Sequence, residues 1–260
     1  MEEITFQKII SPDNSFYKVL KKLSHSARER RKQGKSILDG VHLLKALADA
    51  DQEPEKIIIR DGVAQDQEIK ECITLFPQIA IVELDARLFD QVSPVETPVG
   101  ILALIRLPER SLTRYRSSLF LENIQDPGNI GSILRTAAAS GIDSVHLSKG
   151  CAEAWSPKAL RAGMGAHFAI DVIEQCELME EFEHYDRVVV TALDAKQSVY
   201  QIDLTGPIAF IFGNEGSGVS SSLVEKASDS VVIPMPGNME SLNVAAAVAI
   251  CLFERVRQLA

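Results

Sequence analysis

From Lys35 onward, short apolar runs alternate with stretches in which apolar residues recur at helical spacing. KSILD, KIIIR, IAIVEL and VGILALI read as strands, while an amphipathic basic helix near residues 15–31, a helix from Val41 and a helix around Gln65–Cys72 fall among them. Residues 1–105 are therefore predicted to form a small α/β domain. LPERSLTRYRS is polar, charged and interrupted by a proline, so residues 106–116 read as a linker. Beyond it come SLFLENI, DSVHLS, FAIDVI, RVVVTAL, PIAFIF and SVVIPM with helical patterns between them. Residues 117–260 are predicted to hold a parallel sheet with helices on both faces.

A length of 260 residues suits two domains with proper cores. The longest apolar stretch, AAAVAICLF from Ala245, is too short and alanine-rich for a membrane span, and the acidic start MEEITF does not resemble a secretory signal. Cys72, Cys151, Cys176 and Cys251 lie far apart with no C-x-x-C pair, which argues against bound zinc and against a disulfide framework. The expectation is a cytoplasmic protein without membrane or metal. The net charge of −9 argues against a nucleic-acid partner only as a total. Between Tyr17 and Lys35, eight lysines and arginines stand against one glutamate, and Arg106, Arg110, Arg114 and Arg116 form a second group. Either group alone reads as a solvated face. Together, in an acidic chain, they point to a local phosphate-binding surface, with Arg28, Arg30, Arg31 and Lys32 as its expected contacts.

Three loops that follow strands in the second half carry the candidate chemistry. FIFGNEGSGVSSS (210–222) is glycine-rich but fits neither familiar phosphate pattern. It has no lysine for a P-loop, and Gly216 and Gly218 are followed by Ser221 where a dinucleotide fingerprint needs glycine. Glu215 inside the turn would repel a pyrophosphate, so a cationic or neutral adenosyl compound is the better occupant. In NIQDPGNIGSILRTAAASG (123–141) a helix is expected to start near Asn129, with Arg135 nearly two turns deeper. Asn129 as a plain helix cap and Arg135 as a surface charge remain open. In IPMPGNMESLNVAAAVAICLFE (233–254) Ser241 is expected to open a long helix, either as a cap or as a site residue. Asn243, polar where that helix has turned apolar, is expected to be a buried amide with partners.

DPGNIGSILRTA (126–137), FGNEGSG (212–218) with VVIPM (231–235), and SLNVA (241–245) resemble, in order, the three motifs of the SpoU/TrmH branch of the SPOUT RNA methyltransferases. SPKALRAGMGAHF (156–168) is similar too, with Gly163 where serine is common. RRKQGKSILDGVHLL and SPVETPVGILAL resemble the two ends of the family's substrate-binding domain, related to ribosomal-protein folds, with Asp39 in place of a more usual glutamate. The resemblance implies a deep trefoil knot in the C-terminal domain and a homodimer formed through it. It also implies S-adenosylmethionine bound by Leu193, Gly213, Ile233, Met235 and Leu242, and methylation of a ribose 2′-hydroxyl in ribosomal or transfer RNA, ribosomal preferred. Asn129, Arg135, Glu215, Ser241 and Asn243 are the implied catalytic set. A guanidinium ordinarily keeps its proton, so either the site depresses the Arg135 pKa severely or Arg135 stabilises the developing alkoxide while a neighbour or water takes the proton; the electrostatic role is preferred. The alternative is a non-catalytic RNA-binding protein on the same fold. A nucleotide-dependent enzyme is weakened by the missing P-loop lysine.

Overall fold

The computed structural model describes residues 7–108, 115–214, 216–237 and 239–260, arranged as two compact units. The first contains β1 (Gln7–Ile9), α1 (Ser15–His25), α2 (Ala27–Gln33), β2 (Lys35–Asp39), α3 (Val41–Asp49), β3 (Lys56–Arg60), α4 (Gln67–Thr74), β4 (Ile81–Leu84), α5 (Ala86–Val92) and β5 (Ile101–Arg106). Its sheet is mixed, in the order β1-β4-β3-β5-β2, with β5 antiparallel to both neighbours. The single basic helix expected over 15–31 is two helices. Ser26 ends α1 in an extended conformation, and its hydroxyl caps α2 by accepting from Glu29 N at 3.3 Å. Tyr17, Leu20 and Leu23 of α1 pack into a core with Ile37, Ile58, Val82, Phe89 and Leu102, which fixes which face of the basic segment meets solvent.

The second unit begins at β6 (Ser117–Leu121), α6 (Pro127–Ala139) and β7 (Ser144–Ser148). The chain then leaves it: residues 155–168, carrying α7 (Pro157–Gly163), group with the first unit, where Ser36 Oγ donates to Trp155 O at 2.7 Å. It returns for β8 (Asp171–Cys176), α8 (Leu178–Phe182), β9 (Val188–Thr191), β10 (Gln197–Ser198), β11 (Ile208–Phe212), α9 (Ser221–Lys226), β12 (Asp229–Val232) and α10 (Val244–Leu259). The seven strands are all parallel, in the order β10-β12-β9-β11-β6-β7-β8.

β6, β9 and β11 are near-continuous apolar runs because both of their faces are covered. Phe120, Val188, Val190, Ala209 and Ile211 pack with Leu178, Phe182 and Leu223 of α8 and α9. The alternate residues Leu119, Leu121, Val189, Phe210 and Phe212 are equally buried and face the other way. That face is left to α6 and α10, which pack on each other. Among the described residues no helix is long and apolar enough to cross a membrane.

Candidate active site

In the second sheet β6 leads to β7 on one side, while β11 and β9 lie on the other. A reversal of this kind opens a crevice at the carboxyl ends of the strands. The loops after β9, β11 and β12 enclose a cavity of about 590 Å³ there. Leu193, Gly213, Ile233, Met235 and Leu242 all line it, and so does Ser241. Leu193 is 68% and Leu242 37% exposed, so the cavity offers apolar side chains still open to solvent.

The loop after β11 holds its own shape. Asn214 Oδ1 accepts from Gly216 N at 2.8 Å and Ser217 N at 3.3 Å, and Gly218 N returns to Asn214 O at 2.8 Å. Two further bonds fasten the loop to the end of β6. Asn214 Nδ2 donates to Asn123 O at 3.0 Å, and Ser220 N donates to Glu122 Oε2 at 2.7 Å. Gly218 has φ +67°, and a Cβ on Gly213 would stand 2.1 Å from the Gly218 carbonyl. Gly213 is therefore required by the closeness of its own loop, whatever ligand approaches. Glu122, Asn123 and Asn214 did not stand out as candidates. Their signal is polar side chains bunched at a strand's carboxyl end, and an asparagine just before a glycine turn.

The helix expected at Asn129 starts earlier. Asp126 is the cap, accepting from Asn129 N at 3.4 Å, and Pro127 occupies the first turn, where its missing N–H costs nothing. Asn129 thus lies in the first turn of α6. In the third motif Ser241 does not open the helix. Asn243 is its cap, with Oδ1 accepting from Ala245 N at 2.9 Å and Ala246 N at 3.4 Å.

Asn243 is exposed rather than buried, and its Nδ2 donates to Asn129 Oδ1 at 3.1 Å. One amide thus caps α10 and joins motifs 114 residues apart. Its neighbours Leu242 and Val244 line the cavity. Arg135 is exposed on α6, with no hydrogen-bond or ion-pair partner among the described residues. Glu215 lies outside the described residues.

In the first unit Arg28, Arg31 and Lys32 are exposed, but Arg30 is only 5% exposed and donates to Leu23 O. Arg30 is a structural tie from α2 to the end of α1, which corrects its reading as a surface contact. In the second basic group Arg106 is held by Glu55 at 2.9 Å, Arg116 is exposed, and Arg110 and Arg114 lie outside the described residues. Burial pushes the Asp39 carboxyl above its usual range, against the Ser93 hydroxyl at 2.9 Å and the Arg161 guanidinium, which pull it down.

All four cysteines are free and buried, and burial pushes the Cys72 thiol up to about 11 and Cys251 to about 12, so neither supplies a thiolate nucleophile. His146, Cys176 and Glu181 bring ligand atoms within 4.8 Å of one another, yet none lines the cavity. Glu181 lies 3.4 Å from His146 Nδ1, and the Cys176 thiol donates to Ile173 O at 3.4 Å. Such contacts make a core network.

Two family profiles match the chain in tandem: the SpoU rRNA methylase family over residues 116–253 and the MRM3-like substrate binding domain over 14–103. A 23S rRNA (guanosine(2553)-2′-O)-methyltransferase of Bacillus subtilis is 34% identical over 250 residues, which are 95% of this chain and 98% of that protein. The crystal structure of an RNA 2′-O ribose methyltransferase, 28% identical, superposes with a TM-score of 0.81 over 97% of this chain and 99% of that one. An AdoMet-bound rRNA methyltransferase from Sinorhizobium meliloti, 23% identical, shares the fold with a TM-score of 0.85 over 98% of this chain and 99% of that one. With the second and third motifs lining one cavity and the first joined to the third through Asn129 and Asn243, the chain belongs to the SpoU rRNA methylase family.

Proposed function

We propose that this chain transfers a methyl group from S-adenosylmethionine to the ribose 2′-hydroxyl of a guanosine in large-subunit ribosomal RNA. The observation that carries the reading is the Asn243–Asn129 bond beside the cavity, which unites the first and third motifs where the second already lines the wall. The family and the Bacillus relative support the reaction and the ribosomal target. About 590 Å³ is an ordinary volume for a cofactor site, and the apolar lining and bare glycine backbone fit an adenosyl group. Leu193, Gly213, Ile233, Met235 and Leu242 would hold it. When bound, the cofactor supplies the electrophilic methyl carbon.

The chain's own residues then have distinct tasks. Asn129 and Asn243, bonded to each other, would orient the ribose, and Ser241 and Glu215 would complete the catalytic set that the resemblance implies. Arg135, on the same helix as Asn129, would stabilise the charge that develops on the 2′-oxygen. Arg28, Arg31 and Lys32 would hold RNA phosphates. The family resemblance supports the deep knot in the second unit and a homodimer formed through it.

The test maps 2′-O-methylated riboses in ribosomal RNA with and without the gene, then repeats the transfer with purified enzyme and its Arg135→Ala variant. One guanosine should lose its mark in the deletion, and the variant should be slow. An unchanged methylation map and no transfer in vitro would leave the non-catalytic RNA-binding reading.

A further inference from the structure

We propose that Asp194 and Glu225 make the cavity selective for the cationic methyl donor over its demethylated product. This rests on reading the cavity as the S-adenosylmethionine site. Among the described residues the charged side chains lining it are these two, and both are acidic; no lysine, arginine or histidine joins them. Asp194 follows β9 directly after Leu193, whereas Glu225 comes from α9, so the two carboxylates belong to different walls. Neither has an ion-pair or hydrogen-bond partner among the described residues, so no described residue neutralises their charge. The N-terminus of α10, marked by Val244, is the positive pole at the cavity. It would meet the carboxylate that donor and product share, and it cannot tell them apart.

The chemistry changes the ligand's charge by one unit. During transfer the methyl–sulfur bond breaks with its electron pair left on sulfur, a carbon–oxygen bond forms, and the hydroxyl proton is released. S-adenosylmethionine carries a sulfonium, an ammonium and a carboxylate; S-adenosylhomocysteine retains only the last two. A wall with two uncompensated carboxylates attracts the first and is nearly indifferent to the second. Both side chains are exposed, so solvent and salt weaken the attraction, and the expected preference is about three- to tenfold at low ionic strength. Product is thereby released more readily than donor, and inhibition by accumulated product is lessened.

Calorimetry of S-adenosylmethionine and S-adenosylhomocysteine binding, at low and at about 0.5 M salt, tests this with the native chain and the Asp194→Asn/Glu225→Gln variant. Donor affinity should fall several-fold in the variant while product affinity holds, and added salt should reduce the native preference in the same direction. If both ligands bind and their affinity ratio ignores both the substitutions and salt, the carboxylates do not set selectivity and the proposal is overturned while the cavity's assignment stands. If neither ligand binds the native chain, the assignment falls and takes the proposal with it.

Discussion

Gly213 and the role we propose for Arg135 show how differently single residues can serve a site. At Gly213 the restriction is steric and internal: a methyl group would overlap the Gly218 carbonyl and approach Val219 N to 2.3 Å. Gly213→Ala should therefore destabilise the fold by about 1–3 kcal/mol through forced displacement of the 213–219 backbone. Cofactor affinity should fall with it. Denaturant unfolding and calorimetry on the same protein check this, and weakened binding with unchanged stability would restore close ligand approach as the reason for glycine. At Arg135 the role we propose is chemical, and the side chain is exposed with no partner among the described residues. Arg135→Ala should lower the single-turnover rate about 10²- to 10³-fold, the scale of losing a donor at a developing oxyanion. Arg135→Lys should keep part of that rate, with stability and cofactor affinity unchanged in both. A lysine variant whose activity climbs steeply with pH, beside a flat native profile, would instead assign the arginine the proton itself.

Helix ends carry much of the work at the next scale. Asn243 has two tasks that substitution separates: Asp caps a helix as well as Asn does but has no N–H to donate. Asn243→Asp should thus unfold close to the native midpoint yet transfer methyl groups slowly, because the bond to Asn129 is lost. Asn243→Ala loses the cap as well and should cost about 1 kcal/mol of stability besides. Equal activity in native and Asp variants would make the amide bond a structural detail. At α2, Arg28, Arg31 and Lys32 are the exposed cations, whereas reversing Arg30 would bury a carboxylate and confound the result. Reversal of the three exposed residues to glutamate should weaken RNA binding and reduce its salt slope by about 3, each phosphate contact accounting for roughly one released counterion. Cofactor affinity should not move. Titrations at several salt concentrations decide it, and an unaltered slope would make the face merely solvated.

Across the whole molecule, what the sequence disclosed follows from how far each physical rule reaches. The strands β6, β9 and β11 were legible because burial on both faces leaves an uninterrupted apolar run, and the site loops because glycine, proline and asparagine concentrate where strands end. β1 and β10 were not, being short edge strands with three and two residues. The burial of Arg30 was equally hidden, since a cation in a basic run betrays nothing of the carbonyl it will meet. Nor could a local pattern say that residues 155–168 would fold with the first unit, because that depends on contacts with Ser36, 119 positions away in sequence.

The dimer we propose raises a question of the same range, namely whether RNA held by one subunit is methylated by the other. Two defective proteins answer it. One carries the Arg28, Arg31 and Lys32 reversals with an intact catalytic set; the other carries Arg135→Ala with an intact basic face. Each alone should be nearly inactive. Coexpressed, half of the dimers would be mixed, and a mixed dimer pairs a working basic face on one subunit with a working arginine on the other. If RNA crosses between subunits, activity should return to about a quarter of native, one site in each mixed dimer being complete. If RNA is held and methylated within one subunit, neither chain in the mixture has both parts, and the mixture should be as inactive as its components. Light scattering on the same samples supplies the control: a mixture that stays inactive while its subunits are shown to pair assigns the reaction to a single chain.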